Sequence, residues 1–394
     1  MLTPLDLPAL APDEAEHSER VAAAIGEAIR EAGGWVPFST FMRLALYAPG
    51  LGYYSAGARK FGPAGDFVTA PELTPLFARC LATQVAEVLG RCGGGEVLEV
   101  GAGSGALAAD LLAALAGRGA LPARYRILEV SGELRERQRA TLSARVPELA
   151  ARVEWLDAPP HSAWRGVLVG NEVLDALPVE RFRVTREGFE AIGVVAGASG
   201  GFAFEPRPAD PRLADRLKEI AGSLPAPLPA GFESEACLML PAWIGSLAAG
   251  LSQGVMLFVD YGLPRAQYYH PARDGGTLCG FFRHRRIGDV LARPGLQDIT
   301  AWVDFTAVAQ AAAAAGLGVA GFATQAHFLL ATGLERELQQ APAAGAAGGL
   351  ARSQAVATLM LPGEMGERFK VIALARGVDG PLGGFAFRDL ADRL

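Results

Sequence analysis

Three glycines spaced two apart close an apolar run in Val97-Leu98-Glu99-Val100-Gly101-Ala102-Gly103-Ser104-Gly105-Ala106. Glycine at such positions removes the side chains that would hold a ligand away from the main chain. If the run is a strand turning into a helix, the helix start adds unpaired N–H groups and a positive dipole end. That is a site for an anion or a nucleotide-like ligand. With Ala106 in the last place the run also satisfies the dinucleotide pattern G-x-G-x-x-G/A, so the glycines alone do not choose a ligand. A tight turn without any ligand is the plain alternative.

Glu99, two residues before the first glycine, shifts the balance. The order acid-x-G-x-G-x-G resembles the first motif of class I S-adenosylmethionine (SAM) methyltransferases. SAM carries an ammonium and a carboxylate but no phosphate, so an acid beside the turn suits it and would repel a pyrophosphate. Candidate cofactor-binding residues are therefore Glu99, Gly101, Ala102, Gly103 and Gly105. Glu129 closes the next apolar run, where a carboxylate can accept both hydrogen bonds of a ribose diol, in SAM or NAD alike. Asp157 closes the third run and is expected near an adenine amino group.

The fourth apolar run leads into Asn171-Glu172-Val173-Leu174-Asp175-Ala176-Leu177-Pro178. Ligands of open α/β sheets sit beyond the carboxyl ends of the strands. Asn171, Glu172 and Asp175 are accordingly the candidate catalytic residues facing a methyl acceptor. For a guanidinium, carboxylates would orient the group and help carry off its proton. Acids capping an ordinary helix start would look the same. No D/N-P-P-Y/W follows this strand, which argues against an N6-adenine or glutamine acceptor.

The elements that must hold these residues follow from periodicity. Apolar residues at helical spacing predict helices over 14–31, after Pro37, and over 76–89. Strands over 96–101, 125–130, 152–156 and 166–170 alternate with helices over 106–116 and 133–145. This pattern argues for a parallel, doubly wound sheet. After Pro178 come short strand candidates over 179–185, 189–195 and 201–205, a proline-rich stretch at 224–229 and a helix near 234–249, read as an insertion. A core strand over 255–260, a long loop to Thr300, a helix over 305–315, a strand over 319–323, a helix from Gln325 and a final strand over 368–375 complete the chain.

Composition sets the outer limits. The 394 residues are 51% hydrophobic and 20% charged, enough for a sizeable core and too apolar for wholesale disorder. The net charge of −6 disfavours a nucleic-acid partner. Four cysteines without a C-x-x-C pair and five scattered histidines make a structural metal unexpected. No signal peptide and no membrane span is visible, so a cytoplasmic location is expected. Glycine (49) and proline (26) are abundant and point to long loops.

Beyond the turn, the chain resembles the MidA-like SAM-dependent methyltransferases over roughly residues 24–376. The resemblance rests on Phe41 to Pro49 with Gly52-Tyr53-Tyr54, on Gly65-Asp66-Phe67-Val68-Thr69-Ala70-Pro71-Glu72, and on the blocks 125–138 and 171–178. It continues through Asp260-Tyr261-Gly262, Gly276-Thr277-Leu278, Arg283-His284, Asp298, Thr300, Val303-Asp304-Phe305 and Pro362 to Lys370. Two places depart from it: the family's turn more often reads Gly-Pro-Gly-Arg-Gly, and Gly132 stands where a proline is usual.

The family's mitochondrial members are complex I assembly factors that methylate an arginine on one of its subunits. The resemblance therefore implies SAM as cofactor and a protein substrate, with a respiratory complex subunit as one option. It implies an α/β class I methyltransferase fold, Rossmann-like, whose seven-stranded, mostly parallel sheet ends in an antiparallel strand. It further implies a lid loop bringing Asp66, Thr69 and Glu72 near the cofactor, with Asp66 as a simple turn residue the alternative. The expected layout is a helical N-terminal extension (1–92), a methyltransferase core (93–376) with an insertion (179–235) and a substrate loop (262–300), and a tail (377–394). The basic run 283–286 either meets an acidic partner or is a solvated face. A small-molecule methyltransferase, a non-catalytic SAM-binding assembly protein and an NAD-dependent oxidoreductase stay open, as does the oligomeric state, a homodimer included.

Overall fold

Runs such as Val167-Leu168-Val169 and Met256-Leu257-Phe258 are apolar at every position, which suits strands covered on both faces. The structure, a computed structural model describing residues 9–55, 69–198, 200–341 and 346–394, bears this out. Helices α1 (Pro12–Glu31), α2 (Phe38–Tyr47), α3 (Ala70–Leu73) and α4 (Pro75–Arg91) come first. Then β1 (Glu96–Val100), α5 (Ala106–Gly117), β2 (Tyr125–Leu128), α6 (Gly132–Arg145), β3 (Val153–Leu156) and β4 (Trp164–Asn171) alternate. The chain continues with β5 (Glu180–Val184), β6 (Phe189–Ala196), β7 (Phe202–Pro208), β8 (Glu233–Ala236) and β9 (Leu251–Leu263). Short strands β10 (Cys279–Phe282), β11 (Arg285–Ile287), β12 (Asp298–Thr300) and β13 (Val303–Asp304) precede β14 (Gly318–Thr324) and β15 (Phe369–Arg376).

The central sheet runs β14-β15-β9-β4-β1-β2-β3. It is parallel from β3 to β9, and β15 is antiparallel to both its neighbours. The two-residue β13 adds an eighth strand, parallel to the end of β9, where seven were expected. Side chains alternate across this sheet with period two. Val97, Val167, Leu257 and Val371 pack under α4 and α5. Leu98, Leu168, Phe258 and Ile372 pack under the helices Leu240–Ala248 and Phe305–Ala314.

Two smaller sheets accompany the central one. The inserted strands form a four-stranded antiparallel sheet, β7-β6-β5-β8, and residues 262–300 hold a three-stranded one, β11-β10-β12. Residues 234–236 are therefore strand, not helix, and the helix begins at Leu240. Glu233 takes ion pairs from Arg181 and Arg183 of β5, a tertiary gain that overrides local helix propensity. The helix Pro211–Gly222, absent from the periodicity reading, starts with Asp210 accepting from the Leu213 amide. α1 and α2 join the smaller sheets in one apolar core through Ile25, Phe41, Val194 and Ile299, with a bridge between Val36 and Val194.

At the far end of the central strands, β4 and β9 pair at Gly166 and Gly254. Their φ values are +136° and +148°, and a Cβ on Gly254 would lie 1.9 Å from the Gly166 carbonyl oxygen. Gly254→Ala should therefore cost roughly 2 kcal/mol or more in urea unfolding. An unchanged midpoint would contradict this close strand approach.

Candidate functional site

A cleft of about 920 Å³ opens beyond the carboxyl ends of β1, β2, β4 and β9. Its first wall is the glycine turn. Gly101, Gly103 and Gly105 have φ of +68°, +53° and +84°, values a side chain resists. A Cβ on Gly101 would lie 2.7 Å from Val173 Cγ1, and one on Gly105 3.0 Å from Gln138 Cα. Gly101, Ala102 and Gly103 line the cleft, whereas Gly105 packs behind it and opens α5.

Glu99 and Glu129 both line the cleft and are buried. Glu99 accepts the Tyr125 hydroxyl at 2.5 Å, and burial pushes its carboxyl up to about 7. Glu129 accepts the Ser131 amide at 2.9 Å and Gln138 Nε2 at 3.2 Å, and burial raises its pKa. Gln138 also donates to the Gly103 carbonyl at 3.1 Å and accepts from Trp155 Nε1 at 2.8 Å. One amide thus fixes the glycine turn and the Glu129 carboxylate relative to each other. It was not singled out as a site residue. Its signal was a fully buried polar residue in the α6 stripe Leu134, Gln138, Leu142.

The remaining cofactor candidates separate. Thr69 lines the cleft beside Glu72, which accepts the Ser104 hydroxyl. Asp66 lies outside the described residues. Asp157 does not line the cleft. Its side chain is 86% exposed and paired with Arg135 at 2.6 Å, and the same guanidinium donates to the Glu129 carbonyl at 2.7 Å.

The second wall begins where β4 ends. Glu172 has φ +52°, a left-handed backbone that a non-glycine residue holds only under constraint. Its amide donates to the Val259 carbonyl at 2.8 Å. The constraint continues at Asp260 on β9, fully buried. Asp260 Oδ2 accepts the amides of Val173 (3.1 Å), Leu174 (2.8 Å) and Asp175 (3.3 Å), and Oδ1 accepts that of Tyr261 (2.9 Å). Asn171 Nδ2 donates to Glu172 Oε1 at 3.1 Å, and the Tyr261 hydroxyl donates to Asp175. Asn171, Glu172 and Asp175 thus share one face of the cleft.

Asp298 completes this face from β12. It accepts the Tyr54 hydroxyl at 2.8 Å, and Tyr54 stacks on Tyr47 at 5.5 Å. Tyr47 donates to the Ala176 carbonyl at 2.9 Å. Asp298, Tyr54 and Tyr261 were quoted only as parts of sequence blocks, because nothing local shows that they meet Asp175.

Three carboxyls, Glu172, Asp175 and Asp260, therefore cluster here, Asp175 and Asp260 buried and Glu172 half-buried at the cleft. Burial first, then mutual repulsion, pushes Glu172 up to about 8 and raises Asp260, while burial lifts Asp175 to about 6. Asp260 receives four amides and Asp175 a phenol, whereas the Glu172 carboxyl accepts from Asn171. Asn171 Oδ1 and Asp175 Oδ1 are buried and have no hydrogen-bond partner among the described residues. Buried acceptors of this kind call for an N–H-rich guest.

The turn, the two strand-end carboxylates and the positive-φ glycines fit an adenosyl ligand that carries an ammonium. Comparison with known proteins agrees. Residues 80–323 match the family model Methyltransf_28, described as "Putative S-adenosyl-L-methionine-dependent methyltransferase". A crystal structure of a Burkholderia thailandensis protein bound to S-adenosyl-homocysteine is 46% identical, with a TM-score of 0.93, covering 99% of this chain and 100% of that one. The mitochondrial protein arginine methyltransferase NDUFAF7 of Mus musculus is 28% identical over 86% of this chain and 81% of its own. Its Homo sapiens counterpart is 26% identical over 86% and 80%.

If Glu129 holds the ribose, Glu129→Ala should weaken S-adenosyl-homocysteine binding by about 1.5–3 kcal/mol, the worth of hydrogen bonds to a charged group. Calorimetry would read this as a loss of roughly ten- to a hundredfold in Kd. Equal affinity in the variant would remove Glu129 from the site.

Proposed function

The chain belongs to the Methyltransf_28 family of S-adenosyl-L-methionine-dependent methyltransferases, and we propose that its methyl acceptor is an arginine side chain of a protein. The observation that carries this reading is the pair of unpartnered buried acceptors, Asn171 Oδ1 and Asp175 Oδ1, beside the Glu172 and Asp298 carboxyls. A guanidinium offers five N–H donors in one plane and matches such an acceptor-rich wall. The mitochondrial arginine methyltransferases that the chain resembles lend further support. The strand order, with one antiparallel strand between β9 and β14, supports a class I core.

S-adenosyl-L-methionine supplies an electrophilic methyl carbon on a sulfonium. The chain's own residues then have separate tasks. The main chain at 101–103 and the Glu129 carboxylate hold the adenosyl part, with Glu99 beside the amino-acid part. Asp175, steadied by Tyr261, and Asp298, steadied by Tyr54, orient the guanidinium by charge-assisted hydrogen bonds. Glu172, poised near pH 8, accepts at its carboxylate the proton that the guanidinium nitrogen must lose. The stacked Tyr47–Tyr54 pair bounds the plane in which the acceptor lies.

Because the Glu172 carboxylate is the working form, methyl transfer should rise with pH, with its midpoint near 8. Glu172→Gln should lower kcat by about two to three orders of magnitude and flatten this rise. Stability runs the other way. The folded state holds its proton above the ordinary glutamate range, so the ligand-free protein loses stability as pH climbs towards 8. The same variant should remove part of that loss in urea titrations at pH 6 and 8.

The acceptor itself is tested with labelled S-adenosyl-L-methionine and lysate from a deletion strain. A labelled protein band whose tryptic peptide carries methylarginine is the expected result. Label confined to small metabolites would overturn the arginine reading.

A further inference from the structure

Charge in the cleft changes sign from floor to mouth. The floor carries the buried carboxyls Asp175, Asp298 and Glu129. The lining also includes four arginines, Arg368 just before β15 and Arg43, Arg273 and Arg286 from three other elements. Arg43 lies on α2, one helical turn before Tyr47. Arg273 lies over the Trp302 ring at 5.3 Å, and its Nε donates to the Gln267 carbonyl. Arg286 lies on β11, beside the Cys279 thiol of β10, whose partner strand β12 carries Asp298.

Arg43 and Arg286 are exposed and Arg273 is half-buried. Among the described residues none of the three forms an ion pair with a carboxylate. A cationic acceptor arriving alone would meet repulsion at this mouth before it reached the acidic floor. A polypeptide that brings carboxylates on either side of its basic residue would be attracted at both levels.

We propose that the mouth arginines Arg43, Arg273 and Arg286 select a polypeptide substrate in which the acceptor arginine is flanked by aspartate or glutamate. The selection rests on the arginine reading of the same cleft and extends it to the neighbouring residues. Neutralising each exposed pair has a modest effect, so the three together set a preference of about tenfold. Screening by salt must weaken it, since the pairs lie at the rim.

The test uses the full chain and a panel of peptides with one central arginine flanked by acidic, glycine-serine or lysine residues. Binding to the S-adenosyl-homocysteine-loaded protein is followed by fluorescence anisotropy, and methylation by mass spectrometry. Acidic-flanked peptides should bind and react about tenfold better than neutral ones, with the gap closing in 0.5 M salt. The triple variant R43Q/R273Q/R286Q should lose the preference while it stays folded and still binds S-adenosyl-homocysteine. Methylation without a flank preference, or a preference that survives in the triple variant, would overturn the selection and leave the arginine reading standing. Acidic-flank binding that depends on the three arginines, without methylation, would support the selection and sink the arginine reading. Absence of both overturns both, and loss of S-adenosyl-homocysteine binding in the triple variant would assign these arginines to the cofactor instead.

Discussion

The Asp260 carboxylate, with no exposed surface, gathers three successive amides from 173–175 and one from Tyr261. Everything on the acceptor side depends on that contact. It holds the end of β4 in a sharp turn, forces Glu172 into a left-handed backbone and aims Asp175 at Tyr261. A carboxylate can do this in a dry environment because four charge-assisted bonds offset its lost hydration. The same burial makes the neighbouring carboxyls expensive to ionise. The clustered carboxyls are therefore held above their ordinary range, and a cationic guest relieves the cost.

The second requirement is that residues from distant parts of the chain reach this turn. Tyr47 and Tyr54 arrive from the N-terminal helices, and Asp298 from the three-stranded sheet. The core shared by α1, α2, β6 and β12 makes the two additions one rigid shoulder over the central sheet. Opposite, Gln138 binds the Gly103 carbonyl and the Glu129 carboxylate together, so the cofactor wall moves as a unit. The two walls are built by different side-chain contacts on the paired strands β1 and β4.

Much of the cofactor wall was legible because it is local. A strand, three glycines and a helix lie within eleven residues, and Glu129 ends the next strand by the same logic. Asn171, Glu172 and Asp175 were legible for that reason too, as the polar residues after an apolar run. Asp260 and Asp298 were not, since each acts on a segment far away in sequence. Asp157 lies just past the end of β3 at Leu156, and Arg135 joins its exposed side chain to the Glu129 carbonyl. The strand Glu233–Ala236 was hidden because its residues favour helix, and only pairing with β5 decides otherwise.

The central claim is that buried carboxyls around the cleft retain protons until a cation replaces them. The measurement that tests it is calorimetric titration at pH 7 in two buffers of different ionisation enthalpy, comparing S-adenosyl-L-methionine with S-adenosyl-homocysteine. The two ligands differ by the positive sulfonium. With Glu99 near 7 and Glu172 near 8, the sulfonium ligand should release roughly half to one proton more than its neutral counterpart. Equal proton release by the two ligands would contradict the account.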